Sequence, residues 1–237
     1  SLGATEVVLE VAERTGRKVL LPTSPLVYGK LDASYRPDRG LAEGDDLCFG
    51  SPQDPSWGRS YLEVLQESMA LAFHRSHHLP VVVTRLFNVV GPRQSREGGH
   101  ILPALVERAL LGRPLELRGD GSKTVCLCYV DDAVWALRHL MQSSDTAGHI
   151  YNVGSTVRIS LRDLAETVRE MTGSDSAIEP RYGHSGSDSF PEVLDRVPNL
   201  EAVREAIGYD PTYSIEEMII EMITEQPAPW TLFEPDR

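Results

Sequence analysis

The sequence contains little cysteine, with three in 237 residues. Three cysteines cannot cross-link a secreted scaffold of this size, and Cys126 and Cys128 lie two apart in an apolar run, where a strand would place them on one face. Cys48 is distant and has no histidine pattern near it, so we expect no metal site. The chain opens at Ser1 without a signal-peptide pattern. These features predict a cytoplasmic protein in a reducing compartment.

Basic residues are also scarce. Lys plus Arg number 23 against 35 Asp plus Glu, which gives a formal net charge of −12. A chain this acidic repels phosphate backbones, so we expect no general nucleic-acid binding, although a local basic pocket for one phosphate-bearing ligand is compatible with it. No apolar run approaches the roughly 18 residues of a membrane span, so no membrane insertion is expected. The hydrophobic content of 41% is enough for a folded core.

The first third of the chain alternates helical and strand patterns. Apolar residues at helical spacing predict a helix over 5–15, which Gly16 would end. Short apolar runs at 18–24 and 80–86 predict buried strands, and a helix is predicted between them from residue 60 to 74. A strand–helix–strand order implies a parallel pair with a crossover, and therefore an α/β layer.

The rest of the chain continues with short elements. The patterns predict strands at 115–118, 125–130 and 150–153, and helices at 100–111, 133–141, 200–207 and 215–224. Asp131 and Asp132 are placed to cap the helix at 133–141. Ser160, with Asp163 three residues later, indicates the start of a further helix.

Four segments, taken in order, have a recognisable pattern. They are TSPLVYG at 23–29, RLFNVVGPRQ at 85–94, GDGSKTVCLCYVDD at 119–132, and RVPN at 196–199 with IGYDP at 207–211. Their order and spacing resemble the extended short-chain dehydrogenase/reductase family, the NAD-dependent nucleotide-sugar epimerases, dehydratases and decarboxylases. The resemblance runs from Thr5 to about Glu217.

The resemblance implies an α/β fold: a partial Rossmann-like parallel sheet flanked by helices, with a smaller mixed α/β substrate-binding lobe. Residues 1–95 would form the C-terminal part of the Rossmann-like domain. Residues 96–237 would form mainly the lobe, with about 125–155 returning to the Rossmann layer.

The family's dinucleotide-binding signature, Gly-x-x-Gly-x-x-Gly, does not occur in this sequence. The match begins in what would be the fourth helix, so roughly ninety residues, about three βα units, are expected to be missing. NAD, the cofactor that the resemblance implies, should therefore not bind tightly to this chain alone. The strand at 18–24 would be left with an open edge, which proteins rarely tolerate. We expect a homo-oligomer, a second chain, an N-terminal segment outside this sequence or a rearrangement to cover it.

The family's catalytic pair is replaced. In the family a Tyr four residues before a Lys serves as acid and base, and the Lys holds the nicotinamide ribose. Aligned on Trp57 and Glu67, these positions are Arg59 and Glu63, and re-registering on Tyr61 does not restore the pair. We expect Arg59 and Glu63 to form a weak, exposed ion pair worth ~0.3 kcal/mol rather than a new acid/base pair.

Other family positions are partly retained. Ser24 matches the active-site Ser/Thr, but Pro25 and Leu26 stand where dehydratases carry Asp-Glu, and capping of a turn would explain Ser24 equally well. Asn88 and Arg196 match residues that contact the diphosphate of the nucleotide sugar, for which a guanidinium fork is suited.

Three hypotheses stay open. The chain could be a degenerate relative, a pseudoenzyme that binds a nucleotide sugar or acts as a partner subunit. It could be part of an active NAD-dependent epimerase that further sequence or another chain completes. It could also be an enzyme with non-redox chemistry that reuses the pocket, with Ser24, Arg59, Glu63 or Asp45 in new roles.

Overall fold

The computed structural model describes residues 1–31, 35–94, 100–181 and 194–224. The helices are α1 (Leu2–Thr15), α2 (Gly58–His77), α3 (Ile101–Leu110), α4 (Val130–Gln142), α5 (Leu161–Thr172), α6 (Glu201–Ile207) and α7 (Ile215–Thr224). The strands are β1 (Val19–Thr23), β2 (Val81–Leu86), β3 (Val89–Val90), β4 (Leu115–Arg118), β5 (Thr124–Cys126), β6 (Cys128–Tyr129), β7 (Ile150–Val153), β8 (Arg158–Ser160) and β9 (Ile178–Arg181).

The described residues form two compact units. The first contains residues up to Val89, those from Thr124 to Arg158 and those from Leu194 to Thr212. The second contains the described residues of 90–123 and 159–181, and those from Tyr213 to Thr224. In the second unit β4 pairs in parallel with β9, with Leu115 opposite Ile178.

The first unit is built on a parallel sheet with the strand order β1-β2-β7. Val19 of β1 lies opposite Val81 of β2, and Val83 of β2 lies opposite Ile150 of β7. Both pairings are parallel, which confirms the predicted α/β class and the Rossmann-like sheet. Within the described part of the chain β1 pairs only with β2, so it is an edge strand here.

Helices cover both faces of this sheet. Val81 and Val83 pack with Leu9 of α1 and Ala70 of α2, whereas Val82 packs with the residues of α4 and α6. Successive residues of a strand point to opposite faces, so a strand with apolar residues at every position must be buried on both sides. The continuous run VVV at 81–83 therefore requires the three-layer arrangement.

Helix boundaries follow local chemistry in most places. Ser160 caps α5 by accepting a hydrogen bond from the Asp163 N–H at 3.0 Å, as predicted. The predicted cap of α4 is wrong, because α4 already begins at Val130 and its acids lie in the first turn. Asp132 instead accepts hydrogen bonds from the N–H and hydroxyl of Thr212, at 3.1 Å each to the nearer oxygen. No described helix is long and apolar enough to cross a membrane.

Candidate functional site

The candidate site lies at the carboxyl ends of β1 and β2, within the first unit. In parallel α/β sheets ligands bind beside the carboxyl ends of the strands. β1 ends at Thr23, so Ser24 is the first residue beyond the strand, where a short 3-10 turn over Pro25–Tyr28 begins. Helix α2 packs on this turn, on β1 and on β2, and its buried face contains Glu63 and Glu67.

Ser24 is bound to the helix by a carboxylate. Its hydroxyl donates to Glu63 Oε2 at 2.6 Å, and its backbone N–H donates to the same oxygen at 3.0 Å. The Ser24 hydroxyl also accepts a hydrogen bond from the Leu26 N–H at 3.3 Å, which caps the turn. The retained family serine therefore has a structural use in this chain, as the capping alternative predicted.

The second oxygen of the same carboxylate binds Arg59. Arg59 Nε donates to Glu63 Oε1 at 2.9 Å, so the predicted ion pair is present. Its two partners differ in exposure, since the Arg59 side chain is 57% exposed and that of Glu63 only 10%. The prediction of an exposed pair is therefore wrong for Glu63, because the face of α2 that carries it packs against the end of β1.

One turn further along α2, Glu67 binds the ends of both strands. It accepts from the Thr23 hydroxyl at 2.6 Å and from Nε and Nη2 of Arg85 at 3.1 and 2.8 Å. Arg85 and Glu67 are both almost completely buried. Removing either partner leaves an unpaired buried charge, which strongly destabilises a folded protein. The sequence patterns did not predict this pair. The available signal was two acids, at 63 and 67, on one face of a helix that crosses an apolar strand.

A buried phenol extends the network towards β7. The Tyr28 hydroxyl donates to Asn152 Oδ1 at 2.8 Å, and the Arg85 guanidinium lies 4.6 Å from the centre of the Tyr28 ring. The Asn152 N–H donates to Glu43 Oε1 at 2.7 Å. Burial raises the pKa of Tyr28 to about 12 and also raises the pKa of the Glu43 carboxyl. Hydrogen bonds between protein side chains and backbone groups thus hold together the carboxyl ends of β1, β2 and β7.

Asn88, a predicted diphosphate contact, lies just beyond β2 in a left-handed conformation with φ 42°. Its Nδ2 donates to the Cys126 carbonyl at 3.0 Å, and its own carbonyl accepts from the Cys128 N–H at 3.2 Å. Asparagine tolerates this backbone region better than most residues. These bonds give Asn88 a role in the fold, and the diphosphate contact stays a prediction.

Arg196, the other predicted diphosphate contact, is only 3% exposed. Its Nη1 donates to the Pro25 carbonyl at 2.7 Å, and its Nη2 donates to the Gly29 carbonyl. Gly29 has φ 68°, and a Cβ there would meet the Cys48 carbonyl. The turn after Ser24 therefore needs glycine at this position as well as the hydrogen bonds from Arg196. Burial lowers the pKa of Arg196 to about 10. The burial and these contacts argue against the predicted diphosphate contact.

Asp45, the remaining candidate, makes its contacts elsewhere in the first unit. Its Oδ2 accepts from Arg39 Nη1 at 3.1 Å and from the Ala42 N–H at 2.9 Å. It therefore orders its own loop. Among the described residues no group of three or more His, Cys, Asp or Glu is arranged to hold a metal ion.

The residues present do not fit the role that the resemblance assigns to the family's lysine. That lysine holds the nicotinamide ribose of NAD, whereas Glu63, the residue predicted at this position, can only accept hydrogen bonds as a carboxylate. Both of its oxygens already accept hydrogen bonds from Ser24 and Arg59. A carboxylate used in this way offers the ribose no donor.

The chain has recognisable relatives. It matches the model of the NAD dependent epimerase/dehydratase family over residues 1–154. It is 30% identical over 226 residues to a UDP-N-acetyl-alpha-D-glucosaminuronate decarboxylase of Bacillus cytotoxicus, with 92% of this chain and 66% of that protein covered. It is 28% identical over 210 residues to UDP-glucuronic acid decarboxylase 5 of Arabidopsis thaliana, with 89% of this chain and 58% of that protein covered.

Solved structures show the same similarity. The dTDP-glucose 4,6-dehydratase of Bacillus anthracis, crystallised in complex with NAD, is similar with a TM-score of 0.76 at 26% identity. The match covers 93% of this chain and 65% of that one. The chain thus spans between 58% and 66% of the length of the relatives named here.

Proposed function

Since the chain belongs to the NAD dependent epimerase/dehydratase family, we propose that it binds a nucleotide sugar at the ends of β1 and β2 without the family's hydride chemistry. The proposal is supported by the hydrogen bonds of Glu63, the residue that the sequence motif predicts at the position of the family's lysine. Its carboxylate is bound on both oxygens, by Ser24 and by Arg59. The lysine's function needs an ammonium group at this point of α2.

The acid/base position is also altered. The family uses a phenol whose pKa the lysine lowers. Arg59 cannot replace it, because an exposed guanidinium keeps its proton near neutral pH. Tyr61, the other phenol nearby on α2, donates its hydroxyl to the Gly50 carbonyl at 2.6 Å. Neither side chain is suited to exchange a proton with a sugar hydroxyl.

Nucleotide sugars are the ligands that the relatives' names support. Two relatives are decarboxylases of UDP-linked uronic acids, and a third acts on dTDP-glucose. The present chain is similar to the third of these over 93% of its length, with a TM-score of 0.76. A degenerate protein of this kind would act as a binding protein or as a partner subunit in the cytoplasm.

The unpaired edge of β1 is an argument for a partner chain that covers it. Within the described residues its outer side pairs with no strand, and exposed edges of parallel sheets are unfavourable. A homo-oligomer or a second chain would cover it. The same observation favours the second candidate function, an active NAD-dependent epimerase that becomes complete when additional polypeptide is present.

Calorimetric titration of the 237-residue chain with UDP-glucose, UDP-glucuronic acid and NAD distinguishes these proposals. We expect at least one nucleotide sugar to bind, and NAD to bind with a Kd weaker than about 100 µM. A parallel assay follows conversion of the sugars in the presence of NAD. Low-micromolar NAD binding together with turnover of a nucleotide sugar would overturn the non-redox proposal in favour of the active enzyme.

A further inference from the structure

We propose that Arg59 is an oxyanion-binding residue that makes the sugar site prefer a ligand with a carboxylate on its sugar. The inference rests on the proposed nucleotide-sugar binding and adds the property by which ligands are selected. The observation behind it is the hydrogen bond between Arg59 Nε and Glu63 Oε1.

Only one edge of the Arg59 guanidinium is used within the described residues. Nε is bound to Glu63 Oε1, whereas Nη1 and Nη2 have no hydrogen-bond acceptor there. The Arg59 side chain is more than half exposed, although the Glu63 side chain that binds it is almost buried. The guanidinium is therefore anchored at its base, and its terminal N–H groups remain available to a ligand. Anchoring reduces the conformational entropy that an arginine loses when it binds.

The position of Arg59 is unfavourable for a purely structural residue. It lies in the first turn of α2, a 20-residue helix with no acid in that turn. Cations are disfavoured at the positive end of a helix dipole, and an arginine four residues before a glutamate is the less favourable order for a helical ion pair. Local rules of this kind are most often broken at functional sites.

The resulting potential favours an anion. The helix end and the guanidinium are both positive, and Glu63 already shares its charge with Ser24. Asp54, the other acid close in sequence, accepts from the Ser56 N–H at 2.9 Å and so caps its own turn. Two parallel N–H groups of a guanidinium match the two oxygens of a carboxylate in a planar, bidentate arrangement.

The location points to the sugar rather than to the diphosphate. Arg59 and Ser24 bind opposite oxygens of one carboxylate, so both lie at the end of β1. In the family these two positions belong to the residues that act on the sugar. An acidic group in contact with Arg59 would therefore belong to the sugar ring of the bound ligand.

The test compares three ligands by calorimetric titration: UDP-glucuronic acid, UDP-glucose and UDP. We expect the unmodified chain to bind UDP-glucuronic acid about ten- to a hundredfold more tightly than UDP-glucose. Arg59→Gln should remove this preference and leave the affinities for UDP-glucose and UDP unchanged. Arg59→Lys should retain part of the preference, because it keeps the charge and loses the fork.

Arg75→Gln serves as the matched control. Arg75 is an exposed arginine on the same helix, in its last turn, and its loss should not alter the preference. Equal weakening of all three ligands by Arg59→Gln would place the anion on the diphosphate and overturn the inference. No preference in the unmodified chain would overturn it as well. If none of the three ligands binds, the proposed function itself has failed, which is a distinct result.

Discussion

Replacement of Glu63 by alanine should destabilise the first unit far more than its surface ion pair suggests. The change removes the acceptor of the Ser24 N–H and hydroxyl and of Arg59 Nε at once. An exposed helical pair alone would contribute about 0.3–0.5 kcal/mol. A buried donor that loses its partner costs about 1–3 kcal/mol, and Ser24 is partly accessible to water, which reduces this value. We therefore expect a loss of about 2 kcal/mol.

Urea unfolding of the purified chain, followed by circular dichroism, measures this change as a shift in midpoint at constant slope. Two variants separate the contributions. Arg59→Ala removes only the exposed partner and should cost about 0.5 kcal/mol or less. Glu63→Gln keeps one carbonyl acceptor and the side-chain volume, so its cost should lie between those of the two alanine variants. A Glu63→Ala variant as stable as Arg59→Ala would show that the carboxylate does not hold Ser24 in solution.

Two further predictions concern other parts of the network. Arg196→Ala should lower the free energy of unfolding by about 3 kcal/mol in the same assay, because the Pro25 and Gly29 carbonyls lose their donor. The folded fraction should keep its affinity for UDP-glucose. Unchanged stability with weaker binding would instead support the predicted contact between Arg196 and the diphosphate. The pKa of Tyr28 is raised by burial from 10.0 to about 12, so its stabilising effect is complete below pH 10 and is lost as the pH rises through 12. Over this window the unmodified chain should lose about 2–3 kcal/mol more stability than Tyr28→Phe, and parallel pH profiles of the two proteins would contradict this.

Local sequence patterns determined the class of fold and the family. Apolar runs at 18–24 and 80–86 became β1 and β2 to within one residue at each end. β2 is buried along almost its whole length, because a strand buried on both faces needs apolar side chains at every position, whereas the prediction of a buried strand holds only in part for β1, which is mostly half-buried. Ser160 and Asp163 specified the start of α5 for an equally local reason, since a cap involves only neighbouring residues. The order of the four motifs indicated the family, which the family match confirmed. The division at residue 95 stays a prediction.

Only the tertiary structure decided what the charged residues do. The spacing of Arg59 and Glu63 is that of an ordinary surface pair, and their contact with each other was predictable from it. Whether Glu63 is exposed depends on which strand end its helix crosses, and helical periodicity carries no information on that. Arg196 binds carbonyls 167 and 171 residues earlier in the chain, and Asp132 binds Thr212 rather than its own helix end. Such partners are fixed by packing between distant segments, because a buried charge takes whichever complementary group the fold brings within reach.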